Sequence, residues 1–172
     1  MIHEWDMRVV PGLLQTRGYA QAVIRAGRPY DAEADLIRDI EARIDRQEIL
    51  SRDEPPKLWA VLTEGVLRQI VGGTAVMRAQ LGHLVEVSDA QGYIIQVVPF
   101  DSPDVPGVDG PTTLFEFTDG SPVVYLEGWR AGRVVEDPKE VASITTLFSM
   151  IRGCALSPVQ SRELMIKIRG AL

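Results

Sequence analysis

The stretch Leu58-Trp59-Ala60-Val61-Leu62-Thr63 decides how this chain is read. It is a short apolar run that follows Pro55-Pro56 and ends on Glu64. That length and those bounds predict a buried strand over residues 58–62. The flanking segments carry a different period. Downstream, residues 64–71 suit a short helix that Gly72-Gly73 ends. Thr74 is the expected N-cap of the next helix, whose Val76, Met77, Leu81, Leu84 and Val85 recur at helical spacing. Gly92 then turns the chain into a second strand, residues 93–98. Residues 112–117 and 122–127 read as a hairpin around Asp119-Gly120, and Arg133-Val134-Val135 adds a short strand. Asp137-Pro138 and Ser157-Pro158 each start a helix with proline in its first turn.

Upstream, residues 1–10 look extended, with Ile2, Trp5, Met7 and Val9 as burial points, and Pro11-Gly12 turns the chain. Residues 13–26 carry an amphipathic helical pattern. A second helix runs from an Asp31 cap to about Leu50, with a stripe of Leu36, Ile37, Ile40 and Ile44 and an opposite face of interspersed Arg and acids. The order is helices, strand, helices, strands, helices. It predicts an α+β fold, a mostly antiparallel sheet with helices packed around it, in one domain over residues 1–172.

Composition narrows the function classes. The 172 residues are 45% hydrophobic and 24% charged, which is ordinary for a globular domain. A net charge of −6 argues against a nucleic-acid partner, because affinity for phosphate backbones comes from clustered Lys and Arg. No apolar run approaches the ~20 residues of a membrane span, and the N-terminus lacks a signal-peptide pattern. With a single cysteine, Cys154, these features make the cytoplasm the expected location and a membrane partner unexpected. Apolar stripes beside an acidic surface permit a homodimer.

Motifs of covalent, metal and cofactor chemistry are missing. No Cys/His cluster has metal-ligand spacing, and His3 and His83 fall in no triad pattern. No phosphate- or dinucleotide-binding glycine motif appears, so no metal and no cofactor are expected. Glu64 stands at a strand-to-helix junction, where a first-turn carboxylate also suits the helix dipole. What the chain offers is aromatic material with polar handles. Trp59 shares a strand face with Val61, Phe115 with Phe117, and Tyr125 and Trp129 lie on or just after the next strand. Core is the default for each, and a pocket wall the alternative.

Several motifs, in order, resemble the DUF5753 domain. They are Pro11-Gly12-Leu13-Leu14-Gln15-Thr16 with Tyr19-Ala20, and Glu64-Gly65-Val66-Leu67-Arg68. Gly72-Gly73 with Val76-Met77-Arg78 and Gln80-Leu81 follows, then Gln96-Val97-Val98-Pro99 and Val123-Val124-Tyr125-Leu126-Glu127. Ala155-Leu156-Ser157-Pro158 with Ser161 closes the series. The resemblance implies an actinobacterial domain that usually follows an Xre-type helix-turn-helix. Here Met1 stands just before the first motif, so the expectation is either a domain cut from a longer chain or one that stands alone, the second being preferred. Thr112 replaces the aromatic that tends to follow Gly110-Pro111, and Gly128-Trp129-Arg130 also departs from the pattern.

The chain is also similar to the small cofactor-free cyclases of streptoseomycin- and nargenicin-type polyketide pathways. That similarity implies an intramolecular cycloaddition of a polyene macrolactone, driven by holding a flexible substrate in its reactive conformer within an apolar pocket. On this expectation Trp59, Tyr19 and Gln96 are the catalytic candidates. Trp5, Leu13, Val61 and Met77 are candidate walls, together with Phe115, Phe117, Tyr125 and Trp129. The family resemblance alone implies the other reading: a domain of a helix-turn-helix regulator that senses a small molecule or binds a partner.

Overall fold

A computed structural model describes residues 1–106, 110–128 and 131–172. Its strands are β1 (Ile2–Asp6), β2 (Leu58–Thr63), β3 (Tyr93–Val98), β4 (Thr112–Phe115), β5 (Val123–Leu126) and β6 (Arg133–Val135). The helices are α1 (Arg17–Gly27), α2 (Glu33–Arg46), α3 (Glu64–Arg68), α4 (Thr74–Ser88), α5 (Pro138–Cys154) and α6 (Pro158–Gly170). Short 3-10 turns occupy Gly12–Leu14 and Gln47–Ser51. The strands form one sheet in the order β3-β2-β1-β4-β5-β6. Three of its five junctions are antiparallel, β1–β4, β4–β5 and β5–β6. The junctions β1–β2 and β2–β3 are parallel, as their helical crossovers require. The fold is the α+β arrangement expected, with a mixed, mostly antiparallel sheet.

Alternation along β2 assigns the layers. Leu58, Ala60 and Leu62 enter the main core with Met77, Leu81 and Leu84 of α4 and Met165 and Ile168 of α6. Val61 points to the other face, where it joins Trp5, Val98 and the α5 residues Phe148 and Ile151. Leu114, Val124 and Val135 continue that second face against Val141 of α5. Helix α5 therefore backs the sheet along its width. On the first face, α4 and α6 pack over β3.

Local departures from the expected pattern have local causes. The helical spacing from Leu13 is interrupted at Gln15, which is extended, and Thr16 caps α1 by accepting from Tyr19 N–H at 3.3 Å. Asp31 accepts from Arg28 Nε at 2.6 Å, while Ala32 holds the N-cap position of α2 without a side-chain cap bond. Gly73 holds the N-cap position of α4 at φ 94°, a left-handed conformation that Thr74 would adopt only under strain. Strand β4 ends at Phe115, so Phe117 lies beyond the strand and is 55% exposed. Asp137 and Ser157 cap α5 and α6 as expected, the latter in a capping box with Gln160.

Candidate functional site

The first face of the sheet is open over β1, β4 and β5. A cleft of about 770 Å³ lies there, between these strands and a wall made by the Gly12–Leu14 turn and α2. Register sets its floor in rows. Glu4 pairs with Thr113 and Thr113 with Tyr125. One row along, Ile2 pairs with Phe115. At the other end Asp6 lies two residues beyond Glu4, and Glu127 follows β5 with its N–H on the Pro111 carbonyl at 3.1 Å. The floor thus grades from apolar at Ile2 and Phe115 to acidic at Glu4, Asp6 and Glu127. The wall contributes Leu13, Gln15, Arg43, Arg46 and Ile49.

The wall is held by the Pro11–Thr16 motif. Gln15 Nε2 donates to the Val10 carbonyl at 2.6 Å, and its Oε1 accepts from Arg43 Nη1 at 3.1 Å. Gln47 Nε2 donates to the Gly12 and Gln15 carbonyls, each at 2.8 Å. From the core side, buried Gln80 donates to the Leu14 carbonyl and accepts from Thr16 N–H, both at 2.7 Å. Three glutamine side chains thus satisfy backbone groups that a tight turn leaves without helix or sheet partners.

The acids of the floor sit in an unusual electrostatic setting. Glu4 as a residue is only half-buried, yet its Oε2 is sealed from solvent and has no hydrogen-bond partner among the described residues. Burial, then the charges of Asp6 and Glu127, push its pKa up from 4.5 to about 8. Raised this far, the carboxyl keeps its proton toward the neutral range, and in that form it can donate as well as accept. Asp6 is also raised, chiefly by burial, although its Oδ1 accepts from Arg8 N–H at 2.7 Å and Val9 N–H at 3.2 Å. Across the cleft, burial and then Arg46 pull the Arg43 pKa down, and its Nε is sealed and unpartnered among the described residues. Arg8 and Glu127 form an exposed ion pair at 2.9 Å on the rim.

The sequence candidates fall in several places. Trp5, Leu13, Phe115 and Tyr125 line the cleft, Trp5 with its side chain in the α5-side core. Trp59 and Gln96 lie on the opposite face. There Trp59 Nε1 donates to Gln96 Oε1 at 2.8 Å, Gln96 Nε2 donates to the Leu156 carbonyl at 2.8 Å, and Arg152 stacks 4.4 Å over the indole. Tyr19 is buried and its hydroxyl accepts from Val10 N–H at 3.2 Å. Val61 and Met77 belong to the two cores. Trp129 lies outside the described residues. Glu64 is buried, accepting from Arg68 Nε at 2.5 Å and from Phe100 N–H at 3.0 Å. It ties the start of α3 to the end of β3.

Sequence reasoning missed Glu4, Asp6, Arg43 and Arg46. Their signal was the alternation in Ile2-His3-Glu4-Trp5-Asp6, which puts both acids on the face of Ile2 once the segment is an inner strand. No group of three or more His, Cys, Asp or Glu among the described residues is arranged to hold a metal ion.

The architecture is that of an α+β domain with one half of a sheet face roofed by helices and the other left as a cleft. The family model for DUF5753, a domain of unknown function, matches residues 1–167, and the chain belongs to that family. No curated protein and no solved structure matches it. Among the described residues, no helix is long and apolar enough to cross a membrane.

Proposed function

We propose that this domain binds a small organic molecule in the cleft over β1, β4 and β5. One observation carries the reading. A concavity of about 770 Å³ combines an apolar end with ionisable groups whose sealed polar atoms have no partner among the described residues. Sites for small molecules are commonly of this size, apolar with a few polar groups that fix orientation. In a helix-turn-helix regulator such binding would be the sensing event. The test is a thermal-shift screen of chemically diverse small molecules, followed by titration of each hit against the wild type and Phe115→Ala. Hits that stabilise the wild type and weaken on truncation of Phe115 support the cleft. A broad set without a single stabilising compound overturns the reading.

A second reading, the cofactor-free cyclase, is favoured by the neutral carboxyl of Glu4. A buried acid can donate a hydrogen bond to a substrate carbonyl and stabilise charge that develops there. The cleft would supply the reactive conformer. This reading moves the catalytic role from Trp59, Tyr19 and Gln96, which are engaged elsewhere, to Glu4. The assay is incubation with a linear polyene macrolactone precursor. The expected product is an isomer of unchanged mass, formed more slowly by Glu4→Gln. A product ratio equal to the buffer control rejects catalysis and leaves binding intact.

A further inference from the structure

We infer that the ligand of the cleft is a zwitterionic amphipath of the short-peptide type, with its ammonium on Glu4 and Asp6, its carboxylate on Arg43 and Arg46, and its apolar groups over Ile2 and Phe115. The inference rests on the small-molecule reading and adds the chemistry of the ligand.

The argument is one of placement. The acids of this cleft stand on the sheet side and its two α2 arginines on the wall, with the Arg8–Glu127 pair at the rim and Glu127 near enough to act on Arg43 as well. Glu4 and Asp6 project from β1, and Glu127 joins them from the end of β5. Arg43 and Arg46 stand on α2, across the opening. Arg8 is occupied by Glu127 at the rim. A purely anionic ligand would meet Asp6 and Glu127 beside Glu4, and a purely cationic one would meet Arg43 and Arg46. A molecule with both charges, separated by its own length, faces opposite charge at each end. Of the four sealed side-chain atoms without a partner among the described residues, Oε2 of Glu4 and Nε of Arg43 belong to cleft residues, one on the floor and one on the wall, while those of His3 and Arg162 lie outside it. Buried polar atoms are rarely left without a partner, and each is costly to leave so. The register then sets the direction of the body. Ile2 and Phe115 form the row next to Glu4 and Thr113, so apolar groups extend toward that end.

Binding changes a protonation state. The charges that act on Glu4 are those of Asp6 on its own strand and Glu127 beyond β5; Thr113 and Tyr125 share its row, and Arg8 at the rim and Arg43 and Arg46 on α2 line the same cleft. In the empty cleft Glu4 holds its proton. When the ammonium arrives, the carboxyl O–H breaks, the proton passes to solvent, and the carboxylate accepts from the ammonium N–H. Ligand binding and proton release are thus linked at neutral pH.

One body with four charge states tests this: phenylalanyl-phenylalanine, its N-acetyl form, its C-terminal amide, and the doubly capped form. Isothermal titration at neutral pH in two buffers of different ionisation enthalpy reads affinity and proton release together. The free dipeptide is expected to bind tightest, with each single cap weakening it about tenfold or more. Its binding should release protons in the wild type and not in Glu4→Gln, where acetylation should weaken binding less because only Asp6 remains to meet the ammonium. Arg43→Gln should likewise reduce the effect of the amide cap, with Arg46 left to meet the carboxylate. Circular dichroism checks that both variants fold, and the four wild-type titrations decide the matter without them. Equal affinity for the doubly capped and free forms overturns the inference. So does tightest binding of a singly capped form. So does failure of all four at about 1 mM while another screened compound binds, which leaves the small-molecule reading standing. If no compound of any kind binds, both readings fall together.

Discussion

Glu4 carries its carboxyl where one oxygen is sealed and two other acids are near. Its effect on stability has a definite sign. In the unfolded chain it ionises near 4.5, and in the folded protein near 8. Between those values the folded state holds a proton that the unfolded state has lost. Stability therefore falls as pH rises through this window, by at most about 1.4 kcal/mol per pH unit from this one group. Asp6, also raised, acts in the same sense. Glu64 acts oppositely. Burial raises it, but the Phe100 N–H, Arg68 and Lys167 together bring it below the ordinary value. Its contribution is present at neutral pH and is lost only as pH falls through its lowered pKa. Glu4→Gln, which cannot ionise, is expected to flatten the decline between about pH 5 and 8. Urea unfolding midpoints measured across that range check it, and an unchanged slope would contradict the neutral carboxyl. Trp59 gives a contrasting prediction. Trp59→Phe removes the donor to Gln96 and should cost about 1–2 kcal/mol of stability. It should leave ligand affinity unchanged, since the indole lies on the face away from the cleft. A titration of any cleft ligand against this variant decides it.

The segment Pro11–Thr16 shows how much an element's role can differ from its apparent period. Leu13 and Leu14 fall in phase with Tyr19 and Val23, so the sequence reads as one helix. The structure divides the two roles: a 3-10 turn that lines the cleft, and a separately capped helix that builds the core. The reason is the glutamine network: Gln47 and Gln80 reach backbone groups distant in sequence, and Gln15 ties the turn to Val10 and to Arg43 of α2. Periodicity is local and cannot report such bonds. By contrast, the caps Asp137 and Ser157 act within their own first turns, and both were legible. Gln80→Ala tests the network. It would leave the Thr16 N–H and the Leu14 carbonyl unpaired near the core, which should cost about 2–4 kcal/mol. Thermal unfolding measures that loss. A cost below about 0.5 kcal/mol, typical of a surface change, would mean that the turn holds itself.

At the scale of the whole molecule, the sheet is asymmetric, and that asymmetry was the least legible feature. Strand existence followed from apolar runs and turn residues. Strand order did not, because insertion of β1 between β2 and β4 depends on pairings more than fifty residues apart. Without that order, Glu4 and Asp6 had no reason to be read as cleft residues, and Trp59 and Gln96 no reason to be placed behind the sheet. The asymmetry has a dynamic consequence. Strand β2 is covered on both faces, by the main core and by the α5 cluster. Strands β4 and β5 are backed by α5 but face the cleft on the other side. Amide groups open to exchange in proportion to how little packing must be undone. Native-state hydrogen exchange is therefore expected to show β2 exchanging only through global unfolding, and β4, β5 and β6 through a smaller opening. A ligand seated between the floor and α2 must add protection to β1, β4, β5 and the Pro11–Thr16 turn, by an amount that grows with its concentration. Protection that appears instead around Trp59, Gln96 and α5 would move the site to the other side of the sheet.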